Sequence, residues 1–255
     1  GTQRPARRSR VGSRLVRDRA RRVLLLVGPV ARAHERARED RAEAHLFAPL
    51  PEHAELVAAA DLREDALKAW GAQHGVDRLT PAPQELLQDP DIDVIDICVP
   101  NNYHAPLAIA ALDAGKHVYV EKPRSHNLRE GRLIVEAAQR NRRVVQHGTQ
   151  VRSTSTIMAG IQLLREGIIG DVVEVKAWNI QNRPGVGRGQ PSTPNDRLDD
   201  EMWMGPVPQL PWHDSFMSGW NWMPEFGTGE IGNDGIHDLE YARWGLGVET
   251  HPSFI

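Results

Sequence analysis

The sequence predicts an α/β fold, with a parallel sheet wrapped by helices in the N-terminal part and a second sheet after it. Three observations carry this. Short apolar runs alternate with helix-length segments between residues 54 and 147, a rhythm that implies βαβ crossovers. Those runs are continuous rather than alternating, as strands covered on both faces require. Helical segments stop at Gly75, Gly115 and Gly167, where a helix end favours a residue that tolerates positive φ.

The elements follow in order. Residues 1–22 are arginine-rich and aperiodic and predict a disordered basic arm. Val23 to Val27 reads as a short buried strand, and residues 31–45 as a helix without a clear apolar face. Leu56–Ala60 is a strand ending at Asp61, and Arg63–His74 a helix. Pro83–Leu87 is a short helix, Val94–Val99 a strand, Pro106–Ala114 a helix and His117–Val120 a strand. Leu128–Arg140 is a helix and Val144–His147 a strand, which closes a domain of residues 23–150. In residues 151–255, Thr154–Glu166 and 235–244 read as helices. Val172–Trp178 alternates as a strand of a second sheet would. Residues 181–211 read as a long loop. Five of the seven tryptophans, at 178, 203, 212, 220 and 222, lie in or beside it; they either line a pocket or cap the second sheet.

Composition narrows the class. Apolar content of 40% and charged content of 25% suit a soluble globular protein, and no apolar run approaches the ~20 residues that span a bilayer. The single cysteine, Cys98, excludes an internal disulfide and suits a reducing, cytoplasmic compartment. No Cys/His spacing suggests a metal site. The first 50 residues hold thirteen arginines and no lysine against five acids. Such an arm could bind nucleic acid nonspecifically, but no nucleic-acid-binding motif accompanies it, so nucleic acid is not the expected partner.

The chemistry centres on Glu121-Lys122-Pro123, which follows the strand His117–Val120. The carboxyl edge of an open parallel sheet is where ligands bind, and lysine, unlike arginine, can exchange a proton there. Only four lysines occur, at 68, 116, 122 and 176. After the first strand, Gly28-Pro29-Val30-Ala31-Arg32-Ala33 keeps only the first glycine of a dinucleotide turn. Val30 and Pro29 both depart from what a phosphate cradle needs. Asp61 ends the second strand, where a carboxylate can hold a ribose hydroxyl pair and favour NAD; Arg63 could instead meet a 2′-phosphate, which keeps NADP open. Asp61 could equally cap the following helix. Pro100, Asn101 and His104 follow a third strand at the same edge and are candidate cofactor contacts, with capping as the alternative for His104. Glu121 and Lys122 complete that set.

From about residue 54 to 250 the chain resembles the Gfo/Idh/MocA family, on the segments ELVAAADLRED, DVIDICVPNNYHAPLAIAALDAGKHVYVEKP, GIIGDVVEVKAW and GTGEIGNDGIHDLEYARWGLG. The resemblance implies a Rossmann domain, a C-terminal domain with an open sheet, and NAD(P)-dependent oxidation or reduction of sugars, polyols and related hydroxy compounds. It implies that Lys122 assists proton transfer, that Glu121 and Pro123 shape a turn whose Lys-Pro bond is often cis, and that His237 belongs to the substrate site. Asn233 stands where the family commonly has Asp, and an amide cannot act as a carboxylate base; Asp234 is adjacent, could substitute for it and is a candidate substrate contact. Arg152, after the strand at 144–147, could reach a substrate hydroxyl or carboxylate. Relatives associate through the open face of the second sheet, so a homo-oligomer is compatible with the resemblance. The N-terminus is atypical for the family, and the family pattern implies further strands beyond Ile255.

Two other readings stand beside the dehydrogenase. Some relatives cleave glycosides by transient oxidation with a tightly held NAD, and a catalytically incompetent fragment or binding protein is the third.

Overall fold

The computed structural model describes residues 21–27 (backbone only), 54–180, 185, 187, 189–195 and 198–250. The expected glycine turn at Gly28, the helix at 31–45 and most of the basic arm lie outside the described residues. Six strands form one sheet: β1 (Arg21–Val27), β2 (Ala54–Ala60), β3 (Leu79–Thr80), β4 (Val94–Cys98), β5 (His117–Val120) and β6 (Val145–His147). Their order is β3-β2-β1-β4-β5-β6, and every pairing is parallel. This is the doubly wound Rossmann order. β1 begins at Arg21, inside the segment expected as arm, and the two-residue β3 was not foreseen.

Between the strands run α1 (Glu64–His74), α2 (Pro83–Leu87), α3 (Asn101–Asp113) and α4 (Leu128–Asn141). α1 stops where Gly75 takes φ 69°. α4 starts with a reciprocal cap: the Asn127 side chain accepts from the Glu130 backbone N–H at 3.0 Å, and Glu130 accepts from the His126 N–H at 2.7 Å. Small residues let α3 sit close on the sheet. Ala105, Ala108, Ala111 and Leu112 join Ile95, Ile97, Val118, Val120, Ile134 and Ala137 in one buried core. Burying a side chain such as Leu112 contributes about 1.5–3 kcal/mol.

Beyond residue 150 lie a 3₁₀ turn (Gln150–Ser153) and α5 (Ser155–Arg165), then α6 (Asp200–Met204), α7 (Ser215–Gly219), a π-helical turn (Ile231–Gly235) and α8 (Ile236–Leu246). α8 packs on α5, and a Cβ at Gly245 would stand 3.6 Å from Leu164 and 3.7 Å from Ile161.

Two expectations are corrected here. Residues 172–178 form no strand. A strand exists only through hydrogen bonds to a neighbour, and no such partner occurs among the described residues; Val173 and Trp178 are 89% and 69% exposed. The six-stranded sheet is accordingly the only ladder among the described residues, with one isolated bridge between Pro191 and His213. No second sheet occurs among the described residues for the tryptophans to cap. Trp203, Trp212 and Trp220 pack with Met204, Phe216 and Phe226 into a small core of their own. No helix among the described residues is long and apolar enough to cross a membrane.

Candidate active site

The carboxyl ends of β2, β4, β5 and β6 gather most of the predicted residues. Asp61, one residue past β2, is 5% exposed. Its Oδ1 accepts from the Arg63 backbone N–H at 2.8 Å, and the Arg63 Nε lies 3.7 Å from the same oxygen. The carboxylate therefore turns the chain into α1, while α1 itself has no side-chain cap. Pro100 is the N-cap position of α3, so the helix begins at Asn101, five residues earlier than the sequence suggests, and Asn101 is buried. Pro106 is the sixth residue of that helix, so the Asn102 carbonyl lacks its i+4 donor there.

β5 leads directly into the reactive turn. Glu121 N–H continues the ladder to Ile97 O at 3.0 Å, and the Lys122 N–H donates to Glu121 Oε2 at 3.0 Å. The Lys122–Pro123 bond is cis. Gly148, just past β6, lets that strand end press against the turn: a Cβ there would stand 2.7 Å from Glu121 Oε1 and 3.1 Å from Glu121 Cα.

Lys122 reaches across to the π-helical turn. Its Nζ donates to the backbone carbonyl of Asn233 and, at 3.1 Å, to Asn233 Oδ1. Single π-helical turns inside helices recur at functional sites, and this one leads straight into α8 and His237. Burial and then the Lys122 charge push the His237 imidazole below its usual range, with Asp234 and Glu121 pulling the other way. Its Nδ1 is buried without a hydrogen-bond partner. Asp234 thus acts on the site by charge.

Two predicted residues are placed elsewhere. His104 is 1% exposed, with both ring nitrogens against backbone carbonyls: Nδ1 lies 2.6 Å from Pro123 O and Nε2 2.7 Å from Val99 O. It bridges the turn after β4 and the turn after β5. Arg152 bonds Glu240 Oε1 at 2.5 Å and lies over the Trp244 ring at 4.6 Å. It ties the 3₁₀ turn to α8, which offers it both a carboxylate and an aromatic face.

The family model for an oxidoreductase family with an NAD-binding Rossmann fold matches residues 27–149. Residues 27–149 match the Gfo/Idh/MocA family model. Among curated relatives, the levoglucosan dehydrogenase of Pseudarthrobacter phenanthrenivorans is 30% identical over 122 residues, 48% of this chain and 30% of its own length. The myo-inositol 2-dehydrogenase of Thermotoga maritima is 40% identical over 81 residues, 32% of this chain and 24% of its own. A solved NAD binding oxidoreductase from Klebsiella pneumoniae is 26% identical with a TM-score of 0.58, covering 89% of this chain and 54% of that one. A myo-inositol 2-dehydrogenase from Lactobacillus plantarum shares the fold at 20% identity and a TM-score of 0.64, covering 90% and 57%. The chain thus spans less than a third of the two curated relatives and just over half of the two solved structures.

One residue beside the turn carries no motif in the sequence. His147 ends β6 in register with Val120, so it stands beside the reactive turn. Burial, then Arg124, lowers its imidazole to about 4, against the pull of Glu121; its Nε2 is buried without a hydrogen-bond partner. The only signal available was its place at a strand's carboxyl end. His126 was equally unmarked: its Nε2 meets Pro224 O at 2.9 Å and Gly227 O at 3.0 Å, docking the aromatic mini-core beside the turn.

Proposed function

We propose that this chain is an NAD(P)-dependent oxidoreductase acting on a sugar, polyol or related hydroxy compound, with the sheet (23–150) as the cofactor side and 151–255 as the substrate side. The observation that carries this is the Lys122–Asn233 contact: an amine at the carboxyl edge of a Rossmann sheet, held by the π-helical turn that precedes α8. The names of the relatives point the same way.

The residues present fit a nicotinamide dinucleotide. A buried carboxylate at the end of β2, Asp61, suits a ribose hydroxyl pair and favours NAD, with NADP left open by Arg63. Pro100, Asn101 and Glu121 line the same edge. When bound, the nicotinamide takes or gives the hydride. The protein's part is the proton. A neutral amine that donates both hydrogens to Asn233 keeps its lone pair for the proton of a substrate hydroxyl, so Asn233 orients Lys122 as a general base for oxidation. His237 and His147, both neutral near pH 7, offer ring nitrogens to substrate hydroxyls without adding charge beside the reacting carbon. The lone Cys98 accords with a reducing, cytoplasmic setting.

The test is a fluorescence titration of the full chain with NADH and NADPH, followed by assay of reduced-cofactor release on cyclic polyols and aldoses. Saturable binding and release support the reading; no binding to either cofactor overturns it. Glycoside cleavage without net release would instead identify the hydrolase.

A further inference from the structure

His104 joins two turns that the sheet alone would leave independent. Val99 follows β4 and Pro123 follows β5, and the ring bridges their carbonyls at 2.7 and 2.6 Å. A carbonyl oxygen only accepts. A neutral imidazole carries one N–H and one lone pair, so it can satisfy one of these oxygens and must turn a lone pair on the other at repulsive range. Only the ring with both nitrogens protonated satisfies both. The positive end of α3 and the burial of the site each oppose a cation here. Two short, charge-assisted hydrogen bonds favour it.

We propose that His104 is held as a doubly protonated, buried cation that positions Lys122 by clamping Val99 O to Pro123 O. Lys122 is one residue before the clamped carbonyl, and its side chain must meet Asn233 across the cleft. A turn free to rock would lose that meeting. The other charged or titratable groups around the clamp are Glu121, Lys122, Arg124 and His126 on the turn, His147 on β6, His237 across the cleft and Tyr103 on α3 itself.

The charge state is tested without any activity. Proton–nitrogen correlation spectra of the histidine-labelled full chain should show one ring with both nitrogens protonated and unmoving from about pH 6 to about pH 8.5. That ring is identified by its loss in His104→Gln. A ring with one bare nitrogen, or one that titrates in that window, overturns the proposal. The positioning role rests on the dehydrogenase reading. His104→Gln, which can still donate, should lower kcat about tenfold and His104→Phe about a hundredfold, with the NADH dissociation constant within about twofold in both. Equal loss of NADH affinity and kcat in both variants would mark a merely structural residue and overturn it. Wild-type protein that binds no nicotinamide cofactor would sink the dehydrogenase reading and leave the spectroscopic test standing.

Discussion

Lys122 Nζ donates to two oxygens of Asn233, the backbone carbonyl and the side-chain Oδ1, from a position 111 residues earlier in the chain. The pair joins the reactive edge of the sheet to the π-helical turn, and through it the amide acts as an orienting acceptor rather than a base. Asn233→Asp places a carboxylate there, which favours the charged ammonium. The pH at which turnover rises should move upward by about one unit, while Asn233→Leu should lower kcat about tenfold or more without an acid-limb shift. A pH–rate profile of each variant checks both.

Asp61 should set cofactor affinity. Its carboxylate is buried at the end of β2, where hydrogen bonds to a charged group are worth about 1.5–3 kcal/mol. Asp61→Ala should weaken NADH binding about tenfold to a hundredfold and narrow the preference for NADH over NADPH. Fluorescence titration with both cofactors reads the ratio.

Gly148 is needed for contact, since its φ is not in the left-handed region. A methyl there meets Glu121 at 2.7 and 3.1 Å, and the neighbour on one side is backbone. Gly148→Ala should destabilise the fold by about 1–3 kcal/mol, seen as a lower denaturant midpoint.

His147 makes stability depend on acid. Its folded-state value lies near 4 against an ordinary 6.5, so between those limits the unfolded chain binds the extra proton. Stability is full above about pH 6.5 and falls as pH drops toward about 4, by no more than about 1.4 kcal/mol per unit. His147→Phe should flatten that limb in equilibrium unfolding measured across the range.

How far these features could be read in advance depends on their range along the chain. Strand and helix alternation, the stops at Gly75 and Gly115, and the edge positions of Asp61 and Lys122 follow from local pattern, and the sheet bears them out. For His104 and Arg152 the sequence shows position but not direction; the fold points one at two carbonyls and the other at Glu240. His147 gave no signal beyond its strand end, since its weight comes from Glu121 and Arg124 on a neighbouring strand's turn. The strand expected at 172–178 had the right alternation, but pairing is a property of two segments and the text of one cannot supply it.

The most direct test of the account compares wild-type protein with Lys122→Met in a single assay of NADH binding and hydride transfer to a polyol or aldose substrate. The account predicts that the variant binds NADH within about threefold of wild type and loses about a hundredfold to ten-thousandfold in turnover. A variant that binds cofactor and keeps wild-type turnover would contradict it.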